Sequence, residues 1–97
     1  MLTVTPRAKA RLKQALRQQT ANPDKAIRLI LAPSLFAPFG FIVDQQEEGD
    51  HVIEAEDGSK VLIVAPAVGA ALDESVMDYR ETSLGSAFTL SKVGPVN

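Results

Sequence analysis

The chain is 97 residues long, 45% hydrophobic and 23% charged, with a net charge of −2, a single histidine and no cysteine. Residues 1–97 are enough for one domain with one core, and the composition is that of an ordinary globular protein rather than a disordered one. The lack of cysteine excludes disulfides, thiolate clusters and cysteine nucleophiles, while fitting reducing and oxidising compartments equally well.

Thr5 followed by Pro6 predicts a helix start: a hydroxyl to accept from first-turn amides, then a residue whose missing N–H is not needed there. Ala8, Leu12, Ala15 and Leu16 give one narrow apolar stripe on a helix ending near Gln19, with Asn22, Pro23 and Asp24 as the stop. From residue 26 the period changes. Residues 26–32, 40–43 and 51–54 read as strands. Asp57 and Gly58 form a two-residue hairpin signal between residues 52–53 and 60–64, because both can take positive φ. Pro66 can open one or two helical turns through Leu72, and residues 75–80 and 87–90 read as the last strands. Periodicity therefore predicts a mainly β, α+β fold, in which one N-terminal amphipathic helix packs on a bent, largely antiparallel sheet.

The longest uncharged stretch, residues 29–43, is broken by Pro33 and Pro38 and falls short of the ~18 apolar residues of a membrane span. The N-terminus leads directly into a basic helix with no apolar signal core, so a cytoplasmic protein is expected.

Conventional chemistry finds little support. His51, flanked by Glu48, Asp50 and Glu54, could join carboxylates around a divalent ion. Metal sites usually converge two or more strong ligands, so an exposed histidine at a turn-to-strand junction is the preferred reading. Residues 44–57 carry seven acids and no base, lack a calcium-loop pattern, and read as a solvated acidic hairpin. There is no Gly-x-Ser-x-Gly elbow to position a serine, and no motif supports pairing His51 with Asp78. No phosphate-cradling loop is present.

Two features can carry recognition. Residues 1–28 hold seven bases and one acid, whereas residues 29–97 hold three bases and eleven acids. On the helix, Arg7 and Arg11 form one row and Lys9, Lys13 and Arg17 a second. They can steer an acidic partner or pair with the acidic hairpin. The second feature is the segment Leu35, Phe36, Ala37, Pro38, Phe39, Gly40, Phe41, whose prolines argue against a long regular element and place apolar surface on a loop. Its aromatics either fill the interior or present a docking patch. Nucleic acid is disfavoured by the acidic total and the scarcity of stacking aromatics.

The order and spacing of several segments resemble the A-type iron–sulfur carrier family, also called HesB/IscA-like. They are residues 4–16, Ile27-Arg28-Leu29, Gly49-Asp50-His51-Val52, Asp57-Gly58-Ser59-Lys60-Val61, Leu72-Asp73, Met77-Asp78-Tyr79 and Phe88-Thr89-Leu90. The resemblance implies a compact β pseudo-barrel of bent, mixed and antiparallel strands with an N-terminal helix. It also implies a first ligand cysteine in the loop after Ile27-Arg28-Leu29 and a Cys-Gly-Cys pair near the C-terminus. Here the first position falls near Leu35 or Phe36, and the chain stops at Asn97, short of where the pair would lie. What the resemblance then implies is a non-catalytic, cysteine-free relative that has lost cluster binding. It would act as a protein-interaction or regulatory module in sulfur or iron–sulfur metabolism, without a cofactor. The alternative is a divergent carrier whose ligands come from a partner or an oligomer. The expected partner is another protein, with self-association open and neither nucleic acid nor membrane expected. Arg7, Arg11, Lys13, Leu35, Phe36 and Phe39 are the candidate contact residues.

Overall fold

The computed structural model describes residues 2–35 and 37–92, the side chains of Pro33 and Ala37 excepted. In chain order the elements are β1 (Thr3–Val4), α1 (Pro6–Gln19), β2 (Lys25–Ser34), β3 (Ala37–Gln45), β4 (His51–Glu54) and β5 (Lys60–Val64). They are followed by α2 (Pro66–Ala71), β6 (Ser75–Thr82) and β7 (Gly85–Lys92). Strands dominate, so the fold is mainly β with one substantial N-terminal helix.

The strands form two sheets. One has the order β3-β2-β5-β4, with β2 and β5 parallel and both outer pairs antiparallel; the other has the order β1-β6-β7, with β1 parallel to β6. The continuous apolar run of β5 is explained by its place inside the first sheet: Val61, Leu62, Ile63 and Val64 are all buried, as in a strand covered on both faces. Ala8, Leu12 and Leu16 of α1 close over this sheet and meet Met77 and Tyr79 of β6, so the helix and both sheets share one core. Val68 and Leu72 pack against the same core from α2 and its end.

Three local expectations are corrected. The prolines do not reduce residues 37–41 to a loop. β2 and β3 form one long hairpin in which Leu31 faces Phe39 and Ser34 faces Ala37, so that Ala32 and Pro33 lie opposite Pro38 alone. The extra residue is a bulge with Ala32 at φ 47°, and it accommodates a proline where no ladder N–H is required. Pro38 lies on β3, an edge strand.

The Asp57–Gly58 turn is not a two-residue loop. Gly58 N–H donates to the Ala55 carbonyl at 3.0 Å and Ala55 N–H to the Ser59 carbonyl at 2.9 Å, which closes a three-residue loop, Glu56 to Gly58. Only Gly58, at φ 84°, takes positive φ there. The last hairpin is tighter than expected, with Ser83 and Leu84 alone between β6 and β7. No described helix is long and apolar enough to cross a membrane.

Candidate interaction surface

Thr5 fixes the start of α1 onto β6. Its N–H donates to the Met77 carbonyl at 3.0 Å, its hydroxyl donates to Asp78 Oδ1 at 2.7 Å, and the same hydroxyl oxygen accepts from Ala8 N–H at 3.2 Å. The Thr5 hydroxyl and the Tyr79 N–H hold the Asp78 carboxyl below its ordinary range. The first turn of α1 contains no acid of its own. Asp78 supplies the missing negative charge from another element, which offsets the unfavourable placement of Arg7 at a helix N-terminus. Arg7 itself is exposed, with Nε 3.8 Å from Asp78 Oδ1.

One turn further along, Arg11 donates to Gln14 at 2.7 Å and lies over the Tyr79 ring, 5.4 Å from its centroid. Tyr79 meets Phe88 edge-on at 5.0 Å, Phe88 meets Phe41 at 5.1 Å, and Phe41 meets Phe39 at 5.8 Å. Arg11 and Phe39, which the sequence places in separate features, therefore cap opposite ends of one aromatic row. Phe39 and Phe41 pack against the core, so the inward reading of the aromatics holds for these two. Tyr79 and Phe88 were not among the expected site residues. The signal for Tyr79 was its alternation with Met77 on one strand face, whereas Phe88 joins the row through a hairpin register that residue spacing does not set. Leu35, at the tip of the β2–β3 hairpin, is 99% exposed. Phe36 lies outside the described residues.

Lys13 faces the other way. It forms an ion pair with Asp57, whose second oxygen accepts from the Ser59 hydroxyl at 2.6 Å and the Ser59 N–H at 3.1 Å. The Lys13 ammonium and then these Ser59 donors hold the Asp57 carboxyl far below the usual range. The two rows of bases on α1 thus serve two neighbours: β6 for Arg7 and Arg11, and the β4–β5 turn for Lys13.

Of the seven acids in residues 44–57, Glu47, Glu48, Glu54, Glu56 and Asp57 are exposed as expected, whereas Asp44 and Asp50 are drawn in by a base outside the segment. Arg28, its side chain 14% exposed, donates from Nε to Asp44 at 2.6 Å and grips both oxygens of Asp50 at 2.7 and 3.2 Å. It also reaches the Gln45 carbonyl at 3.2 Å. Asp50, only 4% exposed, accepts in addition from Glu47 N–H at 2.8 Å. Asp50 and then Asp44 push the Arg28 guanidinium further up from an already basic value. In return Arg28 and the Glu47 amide lower Asp50, while the Gln45 amide and Arg28 lower Asp44. This clamp ties the β3–β4 turn to β2, and its forked geometry is the kind that gives a charge pair directional strength.

His51 is exposed at the start of β4, as expected. Among the described residues, no three histidine, cysteine or carboxylate groups converge in a way that could hold a metal ion. With no cysteine in the chain and Leu35 at the expected ligand loop, the donor set does not fit an iron–sulfur cluster, which is held by thiolates.

No family model matches the chain, and no curated protein matches it in sequence. Solved structures do match its shape. SufA from Escherichia coli, involved in biosynthesis of iron–sulfur clusters, superposes with a TM-score of 0.62 at 23% identity, over 94% of this chain and 84% of its own. IscA with a [2Fe-2S] cluster gives 0.61 at 18% identity, over 95% and 85%. A protein from Aquifex aeolicus determined by NMR in solution gives 0.65 at 24% identity, over 95% and 91%. The chain therefore has the fold of the A-type iron–sulfur carriers, built from a sequence without cysteine.

Proposed function

We propose that this protein is a non-catalytic interaction or regulatory module on an iron–sulfur-carrier fold, acting in sulfur or iron–sulfur metabolism in the cytoplasm without binding a cluster through its own residues. The observation that carries this reading is Leu35. A lone exposed leucine is commonplace on a protein surface. This one is 99% exposed at the tip of a hairpin, where the resemblance expects a ligand cysteine. A site of delivery in a carrier becomes, with that side chain, an apolar knob suited to burial in a partner. Leu35 and Phe36 make the contact in this account, Phe39 supports the hairpin behind them, and Arg7 and Arg11 steer an acidic partner toward it, while Lys13 stays with Asp57 on the other side of the helix.

The test is affinity capture from native lysate with the wild-type chain and Leu35→Ser in parallel. A specific partner retained by the first and lost by the second is the expected result. Equal retention by both would remove the hairpin tip from the interaction. The second reading, a carrier that completes its ligand set from a partner, would show iron and sulfide in the captured complex.

A further inference from the structure

Between the end of α1, the start of β2 and the β4–β5 turn lies a cleft of about 640 Å³, lined by Lys13, Arg17, Lys25 and Lys60 together with Leu16, Ala21 and Pro23. The lining contains four cations and no carboxylate. Lys13 is joined to Asp57 just outside, whereas Arg17, Lys25 and Lys60 have no ion pair among the described residues. The remaining wall is the Gly58–Ser59 corner of the turn; a side chain built on Gly58 would meet nothing within 4 Å, so this wall is open to a ligand.

We propose that this cleft binds a short acidic protein segment in which carboxylates flank an apolar side chain. The inference rests on the reading of the chain as an interaction module and names the chemistry of one partner segment. The volume is in the range of ligand sites, roughly 300–1,000 Å³, and is large for a single compact anion. The cations come from different elements: Lys13 and Arg17 one turn apart on α1, Lys25 at the start of β2 and Lys60 at the start of β5. That arrangement suits several charges strung along a chain. Leu16, Ala21 and Pro23 in the lining give an aliphatic side chain an apolar surface to lie against. On its far side Lys60 borders a second, polar depression with Asp24, Glu47 and Glu48, whose charges repel an extended polyanion and confine the ligand to a short stretch.

The experiment is fluorescence anisotropy of the full chain with a labelled peptide alternating Glu and Leu. Its Gln-for-Glu counterpart and inorganic pyrophosphate serve as competitors. The Glu peptide should bind and weaken with salt, and the double variant Arg17→Gln/Lys60→Gln should lose about fivefold or more in affinity. Arg80→Gln, a cation on β6 outside the cleft with its side chain 70% exposed, should change affinity less than twofold. The proposal is overturned if the Glu peptide does not bind, if the double variant binds it unchanged, or if pyrophosphate displaces it at equal concentration. The same peptide titrated against Leu35→Ser should bind as to wild type, which separates failure of the cleft from failure of the hairpin tip.

Discussion

Phe41 on β3 and Phe88 on β7 meet edge to face, 5.1 Å between centroids, and so join strands of two different sheets. Since Phe41 also meets Phe39 and Phe88 meets Tyr79, this pair is the middle of a row that ties the β2–β3 hairpin to the rest of the domain. Phe88→Ala should cost about 2–3 kcal/mol, toward or below the lower end for phenylalanine truncation because the ring is half-buried. Phe39→Ala, at the end of the row, should cost less. Urea midpoints with unchanged slopes would measure both.

The Arg28 clamp and the Asp57 pair predict a direction of pH dependence. Asp44, Asp50, Asp57 and Asp78 all have folded-state pKa values below their ordinary ones. A depressed carboxyl contributes stability that is fully present above its unfolded pKa of ~4 and is lost as pH falls through the folded value. Melting temperature should therefore vary little on account of these groups from neutral pH to about pH 5 and fall below pH 4. Arg28→Gln should lower stability at pH 7 by more than the ~0.5 kcal/mol of an ordinary surface change, because it leaves Asp50 without its guanidinium. The same variant should have a shallower acid limb; an unchanged limb would show that the clamp does not set these ionisations.

Ala32 holds φ 47° in the bulge, a region that an alanine Cβ disfavours. Ala32→Gly should relieve that strain and raise stability by up to about 1 kcal/mol, against the greater flexibility of unfolded glycine. A loss of stability in thermal unfolding would mean that the flexibility of unfolded glycine outweighs the strain, since Ala32 is exposed and its methyl group has little packing to lose.

The bases of α1 should separate in their effects. Arg7→Gln should leave folding nearly intact, since the side chain is 68% exposed and its approach to Asp78 is long. Arg11→Gln should cost about 0.5 kcal/mol through loss of the cation over Tyr79. Lys13→Gln should loosen the β4–β5 turn by unpairing Asp57, visible as faster amide exchange at residues 55–59. If all three instead leave stability untouched and slow partner association, their role lies in steering alone.

What was legible in the sequence follows from local causes. Thr5-Pro6 and the Ala8–Leu12–Leu16 stripe mark α1 because the cap and the 3.6-residue period are local. The apolar run of β5 marks a strand, although its cover on both faces is known only from its place inside the sheet. β1 was not legible, since two residues, Thr3 and Val4, have no periodicity and become a strand only by lying parallel to β6. The prolines misled because the bulge at Ala32 and an edge position make Pro33 and Pro38 compatible with strands. At the candidate surface, Leu35 was singled out with Phe36 by its place in the chain, but its exposure follows from the hairpin that β2 and β3 form. The Arg28 clamp, the aromatic row and the cationic cleft could not, because each joins residues from several elements through register and crossover.

In the function proposed above, the fold of an iron–sulfur carrier works here without a cluster of its own. This is tested most directly by anaerobic reconstitution of the purified chain with iron and sulfide, followed by desalting and absorption spectroscopy. The account predicts no charge-transfer absorption above the protein band, for the wild type and equally for Leu35→Cys, since one thiolate cannot replace a full ligand set. EDTA should likewise leave the melting temperature unchanged, because Leu12, Leu62 and Met77 are buried together and can build a core without a metal. A stable, stoichiometric cluster on the wild-type chain would contradict the claim.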